Sequence, residues 1–581
     1  MKSRMRTRWG IRVRATLVAL SAVAAFTATG QPTAAAAEGD PFVEADTSPF
    51  NLYPREIPGI REGEGDTARG IIESLEASGS VTRASVLSVA QSRQHVGRDL
   101  CHTTGLNGTF KYNGFCWDGT DDVTSAYDPA GGWHPQGLTA SHDAYAGGTL
   151  DGHHLYMTSW YYGTGQETRD QKARISIMES TGTDRSYGHV LLVKPFGSRG
   201  NPNFEAVDRV HADGIAWYGD RLFVANGGEL QIYDLNHLWR MTTLARDVGV
   251  GPGTSFAANH QWALPMVARY GTRTLAQEEA SDNPHVRACE FSRACLSSLS
   301  LDRSGSKPRL VSGEYWTNKQ GYPARVVKWP LENIAEGNTA TVKAEAAYVA
   351  YVRQLQGVAT DGAYYYLSAQ CPDGYMGDAD TSDYGSYACI WQATPGHRPT
   401  VLTRAPSVTQ NLSYAQSSGR LWGANELTGK RVVFSLRPRE ADRAVYLSND
   451  YSALCAGTGN KIINSSPVIQ WGCTNAQDER WLFEDTTDSN GNRAYFLRNA
   501  YSGKCMGTGS SLANGAGMIQ YTCNDVVDEK WWWSPETGEL RNVHSGKCLG
   551  LGAAATKGSQ LIQWTCNGAA DEKWSQTARN V

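Results

Sequence analysis

Between Ala444 and Gln576 one pattern occurs three times. Ser452-Ala-Leu-Cys455, Ser502-Gly-Lys-Cys505 and Ser545-Gly-Lys-Cys548 each lead to a second cysteine 18 positions on, at Cys473, Cys523 and Cys566. Each unit closes on Asp-Glu-basic-Trp, at Asp478 to Trp481, Asp528 to Trp531 and Asp571 to Trp574. Successive units are displaced by 50 and 43 residues, with cysteines and closing tryptophans moving together. A unit of about 45 residues built from short strands and turns cannot bury its own apolar face, whereas three copies around an axis can. A bridge inside each unit closes a loop of about 17 residues, worth on the order of 3 kcal/mol in the chain-entropy picture. Metal binding is the competing reading of paired cysteines, and a gap of this length without Cys-x-x-Cys or histidine partners argues against it.

Ser-Gly-Lys-Cys, then Ile-Gln-Trp-x-Cys, then a closing Trp resembles the ricin B type β-trefoil, a carbohydrate-binding module, over residues 444–581. The resemblance implies that a sugar ring stacks on the aromatic two residues before each second cysteine, here Trp471, Tyr521 and Trp564. The chain also departs from the family. The sugar-binding acid expected two residues after the first cysteine is replaced by Gly457, Gly507 and Gly550, and the amide expected three residues before the closing Trp is Asp478, Asp528 and Asp571. Those three carboxylates are the expected replacements for the lost acid, with surface turns as the alternative.

The rest of the chain fits an extracellular setting. Six basic residues and no acid precede the apolar run Ala15 to Ala25, and Ala34 to Ala37 offers a cleavage site, so residues 1–37 read as a secretory signal peptide. No later run is long and apolar enough to span a bilayer. The 12 cysteines fit an oxidising compartment, and beyond the trefoil they pair locally as Cys101 with Cys116, Cys289 with Cys295, and Cys371 with Cys389. A formal net charge of -4 gives no field for nucleic acid, and a monomer is expected.

Residues 82–438 carry a weaker recurrence. Gln136-Gly-Leu-Thr, Asp213-Gly-Ile-Ala, Ser297-Ser-Leu-Ser, Gln356-Gly-Val-Ala and Gln410-Asn-Leu-Ser each open a strand, followed by a turn and a second strand such as Arg221 to Asn226 or Arg420 to Asn425. Repeated strand and turn predict an all-β region, a β-propeller of five blades, with a sixth built from Ala84 to Trp117 as the alternative. Residues 38–81, including Glu62-Gly-Glu-Gly-Asp66, read as a leader that wraps or stays mobile.

The strand-opening residues Gln136, Asp213, Ser297, Gln356 and Gln410 are expected to ring a central channel, with His134 and His211 nearby. Glycoside cleavage needs two carboxylates, one with a raised pKa, and Asp213, Glu314 and Glu426 are the candidates. His142-Asp143 and His153-His154 are not expected to share a metal, because neighbours on a strand face opposite ways. Calcium at Asp378, Asp380 and Asp383 is the one cofactor reading that the sequence offers, without the spacing of a calcium hand. The expected function is a secreted protein whose trefoil targets a propeller to carbohydrate; a glycoside hydrolase or polysaccharide lyase is the alternative.

Overall fold

The computed structural model describes residues 40–578 except 61–66, 107–109, 111, 165–171, 181–184, 280–288, 317–322, 336–339, 373–387 and 475. Residues 1–37, expected to be a signal peptide, the acidic stretch Glu62 to Asp66 and the loop with Asp378, Asp380 and Asp383 lie outside the described residues. All six expected disulfides are formed.

Sheets of mainly antiparallel strands follow one another from Gly132 to Leu436, the first two joined edge to edge by the parallel pairing of Ser186–Ser198 with Trp262–Gly271. Each opens with one of five strands: β1 (Gly132–Ala140), β2 (Gly214–Tyr218), β3 (Ser300–Asp302), β4 (Gly357–Thr360) and β5 (Thr409–Ala415). The opening strands pack β1 on β2, β2 on β3, β3 on β4, β4 on β5, and β5 on β1. Strand periodicity explains the cores between the sheets. In Arg221–Asn226, Leu222 and Val224 enter a core shared with Met157 and Ile175 of the first sheet, whereas Phe223 and Ala225 enter one shared with Leu310 and Trp329 of the third. Further cores join the third sheet to the fourth and the fourth to the fifth. The fifth is joined to the first through Trp422 and Val433 packed with Trp160 and Tyr187.

Close approach of the opening strands explains their small residues. A Cβ on Gly137 would lie 2.7 Å from the Ile215 nitrogen, and one on Gly357 would strike the Gln410 carbonyl. Ser298, just before β3, and Asn411, in β5, hold the same motif position: Ser298 Oγ accepts the Gly313 N–H of the next strand of its own sheet at 2.9 Å, and Asn411 Oδ1 accepts the Leu299 N–H of the neighbouring sheet at 3.0 Å.

Among the described residues, Ala84 to Trp117 builds no sheet of its own, as the alternative sixth blade would require. Asn113–Cys116 pairs with Val432–Leu436 at the outer edge of the fifth sheet, with Arg98–Asp99 beside it, and His95–Val96 pairs with the first sheet. An unpaired outer edge on the fifth sheet captures the segment that would otherwise have had to build a sheet of its own. The leader wraps. Val43–Glu44 adds to the third sheet and Tyr53–Arg55 to the second. Helix α1 (Ala68–Ala77), capped by the Thr67 hydroxyl on Gly70 N–H at 3.1 Å, buries Ile71, Ile72 and Leu75.

From Val445 the repeat folds as three equivalent lobes. The closing tryptophans Trp481, Trp531 and Trp574 meet in one core with Leu447, Leu497 and Leu540. Their indole N–H groups donate to the carbonyls of Ala456 and Met506 at 2.9 Å and of Leu549 at 3.0 Å. Asparagines link the lobes in a cycle: Asn499 donates to the Asp478 carbonyl at 2.7 Å, Asn542 to Asp528 at 2.8 Å and Asn449 to Asp571 at 2.9 Å. This is the trefoil that the repeat predicts. Gln477 of the first lobe donates to the Leu402 carbonyl at 2.8 Å, so that lobe rests on the fourth sheet.

Candidate functional site

Each trefoil lobe presents an aromatic ring and a recessed carboxylate. Trp471, Tyr521 and Trp564 end the short strands that pair with Cys455–Gly457, Cys505–Gly507 and Cys548–Gly550. They are 46%, 41% and 43% exposed, although rings of this size are ordinarily buried. In the first lobe, Trp471, Asn460, Thr474 and Asp478 line a cleft of about 370 Å³. Asp478 Oδ2 accepts the Asn460 N–H at 3.1 Å, Asp528 Oδ2 the Ser510 N–H at 2.9 Å, and Asp571 Oδ2 the Ala553 N–H at 3.2 Å. These aspartates therefore hold a turn of their lobe, and in the first lobe Asp478 shares the cleft with Trp471.

The three glycines bear on those acids. A Cβ on Gly457 would lie 3.5 Å from Asp478 Oδ2, one on Gly507 3.4 Å from Asp528 Oδ2, and one on Gly550 3.6 Å from Asp571 Oδ2. A Cβ at these positions would therefore make ordinary contact with the carboxylate, and each glycine leaves free space beside it. Glu479, Glu529 and Glu572 turn inward and accept the N–H groups of Thr474 at 2.7 Å, Asn524 at 3.1 Å and Asn567 at 2.8 Å.

A second group of polar side chains surrounds the start of β1. Gln136 donates to the Glu426 carboxylate and, at 2.9 Å, to the Pro135 carbonyl. Burial, with the Asp213 charge adding to it, pushes Glu426 up to about 7 against the opposing pull of Gln136 and Arg431. Asp213 Oδ1 lies 2.8 Å from His211 Nδ1, and the His211 ring stacks on Tyr161 with centroids 4.0 Å apart. Ala212, at φ 54°, holds a left-handed turn immediately before Asp213. Arg431 Nη2 lies 3.2 Å from His134 Nδ1, and burial with the Arg431 charge lowers His134 to about 3.

The other predicted residues fall elsewhere. Gln136 and Gln410 are buried, while Ser297 and Gln356 are half-buried and anchored by their own backbones, Ser297 N–H to the Gly313 carbonyl at 3.1 Å and Gln356 N–H to Ser368 at 2.8 Å. Glu314 does not join Glu426. It is sealed in, paired through both carboxylate oxygens with Arg325, and also accepts the Cys295 N–H at 2.9 Å. His142 and Asp143 both reach Ser413 at 2.7 Å, so a hydroxyl joins them.

Sequence reading missed a cluster on the outer part of the first sheet. Asp121 accepts from Arg174 at 2.6 Å, Tyr187 at 2.7 Å and His189 at 2.9 Å, and His95 lies 3.6 Å away. The ligand atoms of His95, Asp121 and His189 lie within 4.8 Å of one another. The guanidinium already on Asp121 opposes a metal cation there. No spacing in the sequence marks this group, because its members come from segments 95, 121, 174 and 189.

Residues 443–579 match the family model described as a ricin-type beta-trefoil lectin domain. No curated protein matches the chain. Among solved structures, the chain is similar to the designed three-fold symmetric protein ThreeFoil at 24% identity, covering 24% of this chain and all of that one, with a TM-score of 0.22. The C-terminal half of an earthworm R-type lectin, solved with GalNAc, is 12% identical over 24% of this chain and 99% of that one, with a TM-score of 0.19. An exo-β-1,3-galactanase from Clostridium thermocellum is 12% identical over 76% of this chain and 82% of that one, with a TM-score of 0.23. TM-scores this low add nothing to what the residues themselves show. Residues 443–579 are a ricin B-type lectin domain, and the larger region before them belongs to no named family.

Proposed function

We propose that the protein is an extracellular carbohydrate-binding protein in which the trefoil, residues 444–581, tethers a five-bladed β-propeller, residues 82–438, to a glycan. The observation that carries this reading is the threefold pairing of an exposed ring with a recessed carboxylate, Trp471 with Asp478, Tyr521 with Asp528 and Trp564 with Asp571. A pyranose lays its apolar face on such a ring while the carboxylate accepts its hydroxyls. The five-bladed reading is supported by apolar cores between successive sheets, including one between the fifth and the first. The test is retention on a panel of immobilised polysaccharides. Binding is expected to disappear when Trp471, Tyr521 and Trp564 are all changed to Ala, and unchanged retention rejects the reading.

One observation favours a second activity, glycoside hydrolysis at the start of β1. A carboxyl that burial raises to about 7, with Asp213 as a second carboxyl near enough to add to that shift, offers a general acid and a partner for it. Product release from a polysaccharide panel, lost in Glu426→Gln, tests this; a panel without products rejects it.

A further inference from the structure

We propose that the first sheet carries a separate binding cleft for acidic sugar residues, carboxylate-bearing uronates. A cleft of about 650 Å³, within the range of small-ligand sites, opens beside Trp133 and Tyr162. Lys172, Arg174 and Arg246 line it together with three histidines, and among the described residues its lining contains no carboxylate. Lys172 and Arg246 have no ion-pair partner among the described residues, although Lys172 lies 5.7 Å over the Tyr162 ring. Arg174 is 6% exposed, is sandwiched 4.4 Å from the Trp133 ring and 5.1 Å from Trp160, and has a buried Nε with no acceptor. Two acids that touch the lining side chains are already answered, Asp121 by Arg174 and His189, and Asp118 by His95 at 2.6 Å.

The combination selects a ligand class. Uncompensated cations at a cleft with aromatic walls favour a ring that is apolar on one face and anionic at its edge. A neutral sugar would leave the cations unanswered, and a simple anion would not use the rings. The cleft is also distinct from the Glu426 and Asp213 group. Tyr161, between Trp160 and Tyr162 on one strand, points to the opposite face and stacks on His211 there.

The test uses the full chain carrying Trp471→Ala, Tyr521→Ala and Trp564→Ala, so that failure of the trefoil reading leaves it unaffected. Titration with hexagalacturonate is expected to show binding, about tenfold or more weaker for the carboxyl-reduced hexamer. Arg246→Gln and Lys172→Gln, at exposed and half-buried positions, are each expected to weaken it about tenfold. Equal affinity for the acidic and reduced oligomers, preference for a sulfated hexamer, or unchanged binding in both variants would overturn the proposal.

Discussion

Asn411 grips both ends of one residue in the neighbouring sheet: its Oδ1 accepts the Leu299 N–H at 3.0 Å and its Nδ2 donates to the Leu299 carbonyl at 2.8 Å. The same Nδ2 donates to the Leu138 carbonyl at 2.9 Å, so one fully buried amide ties β5 to the strands that open the first and third sheets. Removing it strands buried backbone groups that no water reaches. Asn411→Ala is expected to destabilise the larger region by ~2–4 kcal/mol, read from urea unfolding. Asn411→Asp, which cannot donate, is expected to be at least as damaging.

That residue also shows how far the sequence could be read. The motif position occupied by Gly137, Gly214, Ser298, Gly357 and Asn411 recurs visibly, because close approach of backbones leaves only small or hydrogen-bonding residues there. The lobes of the trefoil are legible for a similar reason, since each disulfide and closing Trp repeats its local geometry. Glu314 and Glu426 could not be told apart in sequence. Each follows a strand of its sheet, and only Arg325, paired from the next strand, makes one of them structural. Arg174 and Asp121 were invisible, because a contact across 53 residues has no local signature.

In the trefoil, single substitutions separate binding from stability. Trp471, Tyr521 and Trp564 are about half exposed, so each change to Ala is expected to change the unfolding free energy by no more than about 0.5 kcal/mol. Glycan retention is expected to fall in steps as lobes are removed, with the largest loss when the last is gone, because linked sites bind by avidity. Quantitative affinity electrophoresis of the single, double and triple variants follows the steps.

The position of the acids can be tested by moving one back. Gly550→Asp would set a second carboxylate beside Asp571, whose Oδ2 lies 3.6 Å from the new Cβ. Like charges in one cleft repel, so binding by that lobe is expected to drop. Combining Gly550→Asp with Asp571→Asn leaves a single acid and is expected to recover binding, measured in a chain with Trp471→Ala and Tyr521→Ala. No recovery would mean that Asp571 acts only through its turn.

The pH dependence of stability has two opposing sources. Burial lowers His134, His142 and His260 to about 3, and His154 and His189 to about 4. The unfolded chain therefore binds more protons at these sites, and their contribution is complete above the ordinary histidine value and lost as pH falls toward 3. Burial raises Glu426 to about 7 and Asp143 to about 6, so their contribution runs the other way, present at acid pH and lost as pH rises through 6 to 7. Burial also raises Glu314, Asp478, Glu479 and Glu529, whereas hydrogen bonds and ion pairs hold Glu76, Asp118, Asp121, Asp122 and Asp302 low against burial and act with the histidines, so the urea midpoint is expected to fall on acidification below about pH 6.5. Glu426→Gln removes one compensating group. The variant is expected to gain up to about 3 kcal/mol on the parent at pH 7 and nothing at pH 4, which steepens the profile between them. Parallel profiles for the two proteins would show that the Glu426 carboxyl titrates near its ordinary value, which would also remove the case for a general acid at the start of β1.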